Sequence, residues 1–414
     1  MKELFAEIIT IGDEILYGQI TDTNSQWIAT ELDLIGFRIH RKISVGDNPE
    51  QIKTAVNNAR KTSDLIIITG GLGPTNDDIT KISLAEIFES KLIENAEVLT
   101  HLESFFKQKG KTLSGQNRQQ ALLPHNCQAL QNHWGTAPGM MWEDNKKLIF
   151  SLPGVPFEMK NLFSKAVIPQ INKHFKAPVI LHKFVNTAGL AESLAAEMIS
   201  EWESRLPPHI RLAYLPSYGQ VRLRLTALGE DKNQLNKELR KHIDYLNNTF
   251  SEYIFGYDSE TLEQAIGRIL KERNLTLSVA ESCTGGYISH LITSIPGSSS
   301  YFIGGAIAYH NKIKERLGVT SIPDFGAVSE QTVTQMAEGV KLRYKTDIGL
   351  ATSGIAGPDG GTKEKPVGTV WIACATREGT KAKKLMLSID RDTNIKASSM
   401  AALTLLFQSL KQNN

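Results

Sequence analysis

The stretch Val-Ala-Glu-Ser-Cys-Thr-Gly-Gly at residues 279–286 follows an apolar run at 275–279 and precedes a helical pattern at 287–295. This order predicts a strand, a tight turn that holds Ser282, and the start of a helix. The first N–H groups of a helix lack partners within it and carry partial positive charge, so the turn favours an anion. A hydroxyl held there is placed to attack a carbonyl. The alternative is that Ser282 or Thr284 only caps the helix.

Outward from this stretch, the sequence predicts alternating strands and helices from residue 262 to the end and from residue 6 to 175. Within the second of these ranges, we expect one helical stretch from Ile79 to about Gly110. Such alternation predicts parallel sheets with helices on both faces. Residues 182–250 read as strand, helix, two strands and helix, which is typical of a small antiparallel module. We therefore predict an α/β protein, in which two doubly wound, three-layer α/β/α domains at 1–176 and 255–414 are joined by an α+β module at 177–254.

Length, charge and cysteine content limit the binding partners and the cellular compartment that we expect for this protein. The chain of 414 residues is too long to fold around a single hydrophobic core. Its net charge is only +2, and no run of basic residues is longer than three. We expect no direct contact with nucleic acid or a membrane. Three scattered cysteines without zinc-ligand spacing fit a reducing compartment, and no run approaches 18 apolar residues. The sequence favours a soluble, cytoplasmic homo-oligomer, with a dimer as the expected form.

Two loops of the first domain have residues suited to phosphate and cation chemistry. Gly12-Asp13-Glu14 follows the first strand, and residues 70–80 follow the third. Gly70, Gly71 and Gly73 would let backbone amides approach a phosphate. The carboxylates of Asp13, Asp77 and Asp78 are oxygen ligands for a divalent cation. The alternative, left open by spacing alone, is a tight glycine turn with acidic residues in a first helical turn.

Residues 12–16, 23–25, 70–80 and 152–156 resemble the N-terminal domain of the competence/damage-inducible CinA family. That domain is similar to the molybdopterin-binding domains of molybdenum cofactor biosynthesis. The resemblance implies ADP-ribose pyrophosphatase activity with a divalent metal ion. Substrate would be bound by Gly70, Gly71, Gly73 and Thr75, and metal by Asp13, Asp77 and Asp78.

Residues 280–286, 297–299, 326–329, 353–361 and 365–370 resemble the nicotinamide-nucleotide amidohydrolase family. Its members hydrolyse the carboxamide of nicotinamide mononucleotide to nicotinate mononucleotide and ammonia, and we expect no cofactor for this domain. The functional residues carried over are Ser282, Tyr309, Lys314, Ser353 and Arg391. His310 stands where serine is usual, Ser353 where threonine also occurs, and Ile389 replaces the glycine of a Gly-Asp-Arg motif.

Amide hydrolysis needs a nucleophile, a base and a proton for the departing ammonia. Ser282 would be the nucleophile, Lys314 the base if burial lowers its pKa, and Tyr309 a proton relay, while His310 is an alternative base. The substrate phosphate would meet hydroxyl, backbone and guanidinium donors from Thr284, Gly285, Gly286, Ser298, Ser299 and Arg391. A loop that begins at Ser353 and Gly354 would wrap the nucleotide. The alternative is that these loops are turns with no role in binding substrate.

Three function classes follow. The first is a bifunctional hydrolase of pyridine-nucleotide salvage that acts on nicotinamide mononucleotide and ADP-ribose. The second is a transferase that binds molybdopterin or a nucleotide, and the third is a non-catalytic partner in DNA uptake or recombination. The absence of basic stripes speaks against direct DNA binding.

Overall fold

The computed structural model describes residues 3–75, 77–387 and 390–412. Contacts divide the chain into two compact units, Met1–Leu181 with Leu228–Lys232, and His182–Ala227 with Asn233–Asn414. Within the described residues, no helix combines the length and the apolar character that crossing a membrane requires.

Strands and helices alternate along the first unit. The strands are β1 (Leu4–Ile11), β2 (Phe37–Val45), β3 (Leu65–Thr69), β4 (Leu92–Glu94), β5 (Leu122–Pro124), β6 (Gln128–Leu130), β7 (Gly139–Asp144) and β8 (Lys147–Leu152). The helices are α1 (Asp13–Leu16), α2 (Thr23–Leu34), α3 (Pro49–Thr62), α4 (Thr80–Ile87), α5 (Ala96–Gln108), α6 (Gly115–Arg118), α7 (Pro156–Leu162) and α8 (Ile168–His174). A 3₁₀ turn covers Gln119–Ala121, and a π turn at Phe163–Val167 joins α7 to α8.

The main sheet of this unit has the order β2-β1-β3-β8-β7-β6. The first four strands are parallel, and β7 and β6 run antiparallel to their neighbours. The expectation of an all-parallel sheet is therefore corrected at one edge, where the hairpin of β7 and β8 needs only a short turn. The helix expected from Ile79 to Gly110 is also wrong, because β4 separates α4 from α5.

Helices cover both faces of this sheet. Ile28 and Leu32 of α2 join one buried cluster, and Ile52 of α3 and Leu84 of α4 join the other. Strands β1 and β3 are neighbours, but the chain leaves them toward opposite faces. Such a divergence opens a crevice at the carboxyl ends of the two strands, where ligands of doubly wound sheets bind.

The middle of the chain contains β9 (Val179–Ala188), α9 (Glu192–Ser204), β10 (Ile210–Ser217), β11 (Gln220–Gly229), α10 (Lys232–Thr249) and β12 (Ile254–Tyr257). Its sheet has the order β10-β11-β9-β12, and β12 pairs antiparallel with β9. The predicted succession of strands and helices is present. The predicted boundary after residue 254 falls inside β12, which belongs to this sheet because its partner β9 is far upstream in sequence.

The rest of the chain holds a second layered sheet. Its strands are β13 (Leu277–Glu281), β14 (Phe302–Ile307), β15 (Ile348–Gly354), β16 (Thr369–Ala375) and β17 (Thr380–Met386). Its helices are α11 (Leu262–Glu272), α12 (Tyr287–Thr293), α13 (Asn311–Arg316), α14 (Ile322–Phe325), α15 (Glu330–Tyr344) and α16 (Arg391–Gln412), with a 3₁₀ turn at Ser298–Ser300. The strand order is β14-β13-β15-β16-β17, parallel for the first three and antiparallel for the last two.

This sheet is also covered on both faces. Leu262 of α11, Ile288 of α12 and Leu406 of α16 join one buried cluster, whereas Val333 and Met336 of α15 join another. The α/β class and the three-layer arrangement predicted from the sequence are confirmed. The order β14-β13-β15 repeats the order β2-β1-β3 of the first unit, so the crevice of this sheet lies at the carboxyl ends of β13 and β15.

Candidate active site

Three predicted site residues meet at the carboxyl ends of neighbouring strands. Ser282 N donates to Thr352 O of β15 over 3.0 Å, and Ala308 N donates to the carbonyl oxygen of the residue before Ser282 over 2.6 Å. Because Ser353 follows Thr352 and Tyr309 follows Ala308, these backbone bonds bring both residues to the turn that holds Ser282. The parallel pairing of β13 with β14 and β15 produces this meeting.

The turn after β13 is open to a ligand on one side. Ser282 is 7% exposed. Gly285 and Gly286 have φ of 62° and 103°, in the left-handed region that favours glycine. A Cβ added at Gly285 would meet no atom within 4 Å. The turn therefore needs glycine for its backbone shape, and it leaves space beside Gly285.

A carboxylate that the sequence reasoning missed lies beneath this turn. Glu281 is 1% exposed. Its Oε1 accepts from Ser289 N at 2.8 Å and Ser289 Oγ at 2.7 Å. Its Oε2 accepts from Thr284 Oγ1 at 2.7 Å and from Gly286 N and Ile288 N at 3.0 Å each. The donors at the start of α12 are thus bound by an anion of the same chain.

The Glu281 network corrects two expectations. The residue that caps α12 is Gly286, with no side-chain cap bond, so neither Ser282 nor Thr284 caps the helix. The Thr284 hydroxyl and Gly286 N–H donate to Glu281 and are not available to a substrate phosphate. The sequence held one signal for this role, a carboxylate at the end of a buried strand just before a helix start.

Lys314 is a buried cation in the same region. It lies on α13 and is 2% exposed. Burial lowers the pKa of Lys314 from its ordinary value of 10.5, and the nearby Cys283 acts in the opposite direction. A lowered pKa increases the fraction of neutral amine near neutral pH, which is the form that accepts a proton.

The thiol beside Ser282 is not activated. Burial raises the pKa of Cys283 to about 12, although the charge of Lys314 acts to lower it. A cysteine nucleophile needs its thiolate. Cys283 therefore remains a thiol at neutral pH, and Ser282 is the stronger candidate for the attacking group.

Tyr309 and Arg391 are brought together by the fold. Arg391 Nη2 donates to Tyr309 Oη over 2.7 Å, and Arg391 Nη1 donates to Gly357 O over 2.6 Å. The guanidinium thus links the loop after β14 to the loop after β15. Ile389, whose replacement of glycine made the placement of Arg391 uncertain from sequence, lies outside the described residues.

Ser353 and Gly354 make close contacts with neighbouring segments of the same chain. Ser353 Oγ donates to Ala327 O over 2.6 Å, so this proton is used inside the protein. A Cβ added at Gly354 would lie 2.5 Å from Val370 Cγ2 and 2.9 Å from Thr369 O. In this structure the two residues hold the loop after β15 in place, and the Ser353 hydroxyl is not a free donor for substrate.

His310 has a definite structural role. Its Nδ1 accepts from Lys312 N over 3.2 Å, which makes it the N-cap of α13, the helix that holds Lys314. Serine is a common N-cap, so an imidazole nitrogen here performs the task of the usual residue. The alternative of His310 as the base is weakened, because this nitrogen is engaged by the backbone.

Ser298 and Ser299 lie near the amino ends of the parallel strands, whereas Ser282 lies at the carboxyl ends. Leu277 pairs with Phe302 at the amino end of the parallel pair of β13 and β14, and Glu281 pairs with Ile307 at the carboxyl end. The two serines precede Phe302, whereas Ser282 follows Glu281. The length of the strands separates these ends by roughly 15 Å. Within one chain, Ser298 and Ser299 therefore lie away from Ser282, and their predicted role in binding the substrate phosphate stays a prediction.

In the first unit, a pocket of about 330 Å³ lies at the crevice between β1 and β3. The glycine loops contribute Gly70, Gly71 and Gly73 to its wall. The charged side chains among the described residues that line it are all acidic: Glu14, Asp22, Asp47, Asp77 and Asp78. An anionic ligand would need cations to offset these carboxylates.

The glycines of this loop are also required by packing. A Cβ on Gly70 would lie 2.1 Å from Ile11 O, and one on Gly71 would lie 2.2 Å from Thr80 Oγ1. A Cβ on Gly73 would lie 2.5 Å from Asp78 Oδ2. The glycines therefore make a tight turn and also line the pocket, whereas Asp77 and Asp78 precede α4, whose first turn contains no acidic residue.

The three carboxylates predicted to bind metal are not gathered around one point. Among the described residues, no group of three or more His, Cys, Asp or Glu side chains is arranged to hold a metal ion. Asp78 accepts from Gly73 N at 2.7 Å and Thr75 N at 2.9 Å, and also from the Thr75 hydroxyl, so Thr75 is bound to Asp78 rather than open to substrate. Asp13 exchanges backbone-to-carboxylate hydrogen bonds with Asp47, at 3.1 and 3.3 Å. The predicted metal set thus does not fit a cation as it stands.

Asp47 is the carboxylate of this pocket that the sequence reasoning missed. Burial raises the pKa of Asp47 most, and the charges of Asp13, Glu14 and Asp77 raise it further. The charges of Asp13, Glu14 and Asp77 therefore act on Asp47 in addition to its burial.

Family models match three consecutive parts of the chain. Residues 7–173 match a probable molybdopterin binding domain, residues 182–256 the KH domain of damage-inducible protein CinA, and residues 259–410 the CinA C-terminal domain. The KH match ends within β12, the strand that pairs with β9.

Relatives match over the full length. A CinA-like protein of Cytophaga hutchinsonii is 48% identical over 99% of both chains, and a putative competence-damage inducible protein of Halothermothrix orenii is 40% identical over 99% of both chains. The crystal structure of a competence/damage inducible protein from Agrobacterium tumefaciens is 39% identical, covering 36% of this chain and 93% of that one with a TM-score of 0.35. From these full-length matches, the chain belongs to the CinA family of competence/damage-inducible proteins.

Proposed function

We propose that the C-terminal domain hydrolyses the carboxamide of nicotinamide mononucleotide, giving nicotinate mononucleotide and ammonia. The observation that carries this proposal is Lys314, a buried lysine with a lowered pKa that interacts with Cys283, the residue next to Ser282. This interaction with the neighbouring residue supports proton transfer from the Ser282 hydroxyl to the Lys314 amine, and a serine with a lysine base is a hydrolytic pair that needs no histidine.

In the proposed reaction, Lys314 takes the proton of the Ser282 hydroxyl as the oxygen attacks the carboxamide carbon. The tetrahedral intermediate then collapses, the C–N bond breaks, and the departing ammonia takes the proton from Lys314. Water hydrolyses the resulting ester with the same lysine as base, which regenerates Ser282. Tyr309, at the mouth of the crevice, is the candidate relay for these protons.

We assign the substrate phosphate to Arg391 rather than to the start of α12. The N–H groups at that helix start donate to Glu281, as described above. A guanidinium has five N–H groups, and those that donate to Tyr309 and Gly357 hold it beside the crevice. Forked pairing of arginine with phosphate supplies both affinity and orientation.

The test is ammonia release from nicotinamide mononucleotide by the full-length protein. We expect one ammonia for each nicotinate mononucleotide formed, with no requirement for added metal or nucleotide cofactor. Nicotinamide riboside, which lacks the phosphate, should react with a much higher KM. Absence of ammonia from a folded preparation would refute the proposal.

For the N-terminal domain we propose cleavage of the pyrophosphate of ADP-ribose. The pocket between β1 and β3 supports this, since it has glycine loops on one wall and a size suited to a nucleotide fragment. Its acidic lining implies that the pyrophosphate enters accompanied by cations. Among the described residues, the carboxylates of the pocket do not by themselves form a ligand set for a metal ion.

This proposal predicts that ADP-ribose cleavage to AMP and ribose 5-phosphate depends on an added divalent cation. Chelation should abolish it and leave ammonia release unchanged. Asp47→Asn should weaken the cation dependence, because it removes one of the mutually repelling carboxylates that line the pocket. Asp144→Asn is the matched control, since Asp144 pairs with Arg60 and does not line the pocket. Cleavage at full rate in chelator would contradict this account.

Experiments can distinguish the two other function classes from the proposed hydrolase. Adenylylation of a pterin would favour the transferase. For nucleic acid, KH domains clamp the backbone with a Gly-x-x-Gly loop. In residues 182–256 the glycines are Gly189, Gly219, Gly229 and Gly256, so no such spacing occurs. Salt-sensitive binding of single-stranded DNA by this protein would support a role in DNA uptake or recombination.

A further inference from the structure

The buried carboxylate of Glu281 is fully engaged by the turn that follows it. Five donors converge on its two oxygens, from Thr284, Gly286, Ile288 and twice from Ser289. Isolated charges are costly to bury, but a carboxylate that accepts several hydrogen bonds is stable in that place. The arrangement is therefore rigid, and its donors lie on the segment that begins with Ser282.

The same carboxylate is connected to the other anchor of Ser282. Thr284 Oγ1, which donates to Glu281, also lies 2.8 Å from Thr352 Oγ1. Thr352 O accepts the backbone N–H of Ser282. Ser282 is thus held at its own nitrogen by Thr352 and, two residues later, by the bonds of Thr284 to Glu281 and Thr352.

Such anchoring matters because the turn is intrinsically loose. Gly285 and Gly286 are consecutive glycines with positive φ, and glycine has the largest backbone freedom of any residue. Without a fixed partner for Thr284 and Gly286, the segment from Ser282 to Gly286 has many accessible conformations. A nucleophile displaced by about 1 Å can lose roughly a hundredfold in rate.

We propose that Glu281 is a positioning residue for the Ser282 nucleophile. It acts through the Thr284 and Gly286 bonds and does not touch the substrate. This inference rests on the proposed amidase function. Its prediction is that loss of the carboxylate lowers kcat and leaves KM, which reports phosphate and ring contacts made elsewhere, nearly unchanged.

The experiment uses full-length Glu281→Gln, which keeps the size of the side chain but places an NH₂ group against donors. We expect kcat for ammonia release to fall about a hundredfold, with KM within about threefold of the wild-type value. Amide hydrogen exchange of residues 282–289 should accelerate in the same variant. Ser289→Ala, which removes one of the five bonds, should show both effects to a smaller degree and serves if Glu281→Gln does not fold.

The matched control is Ser278→Ala at the other end of β13. Ser278 is buried and its hydroxyl lies 2.7 Å from Thr346 Oγ1, so the variant loses a buried hydrogen bond away from the turn. It should lower the thermal midpoint without changing kcat beyond about twofold. Unchanged exchange in Glu281→Gln, or faster exchange with wild-type kcat, overturns the inference. Lack of ammonia release by the wild type would refute the proposed function instead, and the exchange result would still report on the turn.

Discussion

Replacement of Ser282 by alanine is expected to lower kcat for ammonia release by about four to six orders of magnitude. The reason is that the attacking oxygen is lost, and the neighbouring thiol of Cys283 cannot replace it because burial raises its pKa to about 12. Substrate should still bind, since its phosphate is assigned to Arg391. Isothermal titration with nicotinamide mononucleotide and a continuous ammonia assay measure the two effects separately.

Cys283→Ala is the control for this result. It removes a buried thiol beside Ser282 without removing the proposed nucleophile, so kcat should stay within about tenfold of the wild-type value, allowing for a small packing defect. A Ser282→Ala enzyme with near wild-type turnover would eliminate the covalent route. Loss of activity in Cys283→Ala with retention in Ser282→Ala would identify the thiol as the nucleophile.

Lys314→Met is expected to lower kcat by about a hundredfold to ten-thousandfold, as removal of a general base does. Methionine has a similar length and no charge, so the buried site should accept it. In the wild type, activity should rise with pH as the Lys314 ammonium loses its proton, and level off above a pKa that burial holds below 10.5. The pH profile of the variant should lack this rise.

The double variant of Ser282→Ala and Lys314→Met tests whether the two residues form one proton-transfer unit. If they do, its kcat should equal that of Ser282→Ala, because groups that act together are not additive. Multiplicative losses would indicate independent roles. A Lys314→Met profile that keeps the wild-type rise would assign that titration to another group, and Lys314 would then be a buried structural lysine.

The sequence predicted the features that depend on local order. Strand, turn and helix around residues 279–295 follow from an apolar run, glycines and a helical pattern, and the structure has β13, the turn and α12 there. The layered α/β class followed from repeated alternation of strands and helices. Errors occurred at β4, a short strand that pairs with the distant β5, and at β7, which forms an antiparallel hairpin with β8 where the alternation of strands and helices had predicted parallel strands.

Long-range pairing decided which motif residues meet. The glycine-serine loop at 297–299 is closer in sequence to Ser282 than Tyr309 is, yet the parallel register of β13 and β14 places Ser298 and Ser299 at one end of the sheet and Tyr309 at the other, the end where Ser282 lies. The contact between Tyr309 and Arg391 likewise joins residues far apart in the chain. No local pattern contains this information.

The sequence by itself determined most of the secondary structure, the fold class and the chemical types available in each loop, because those follow from periodicity and composition over a few residues. Only the tertiary structure decided that Lys314 is buried, that Arg391 donates to Tyr309, and that the backbone N–H of Ser282 donates to Thr352. The physical reason is that burial and hydrogen-bond partners are set by which strands pair and which helices cover them, and these are properties of the whole fold.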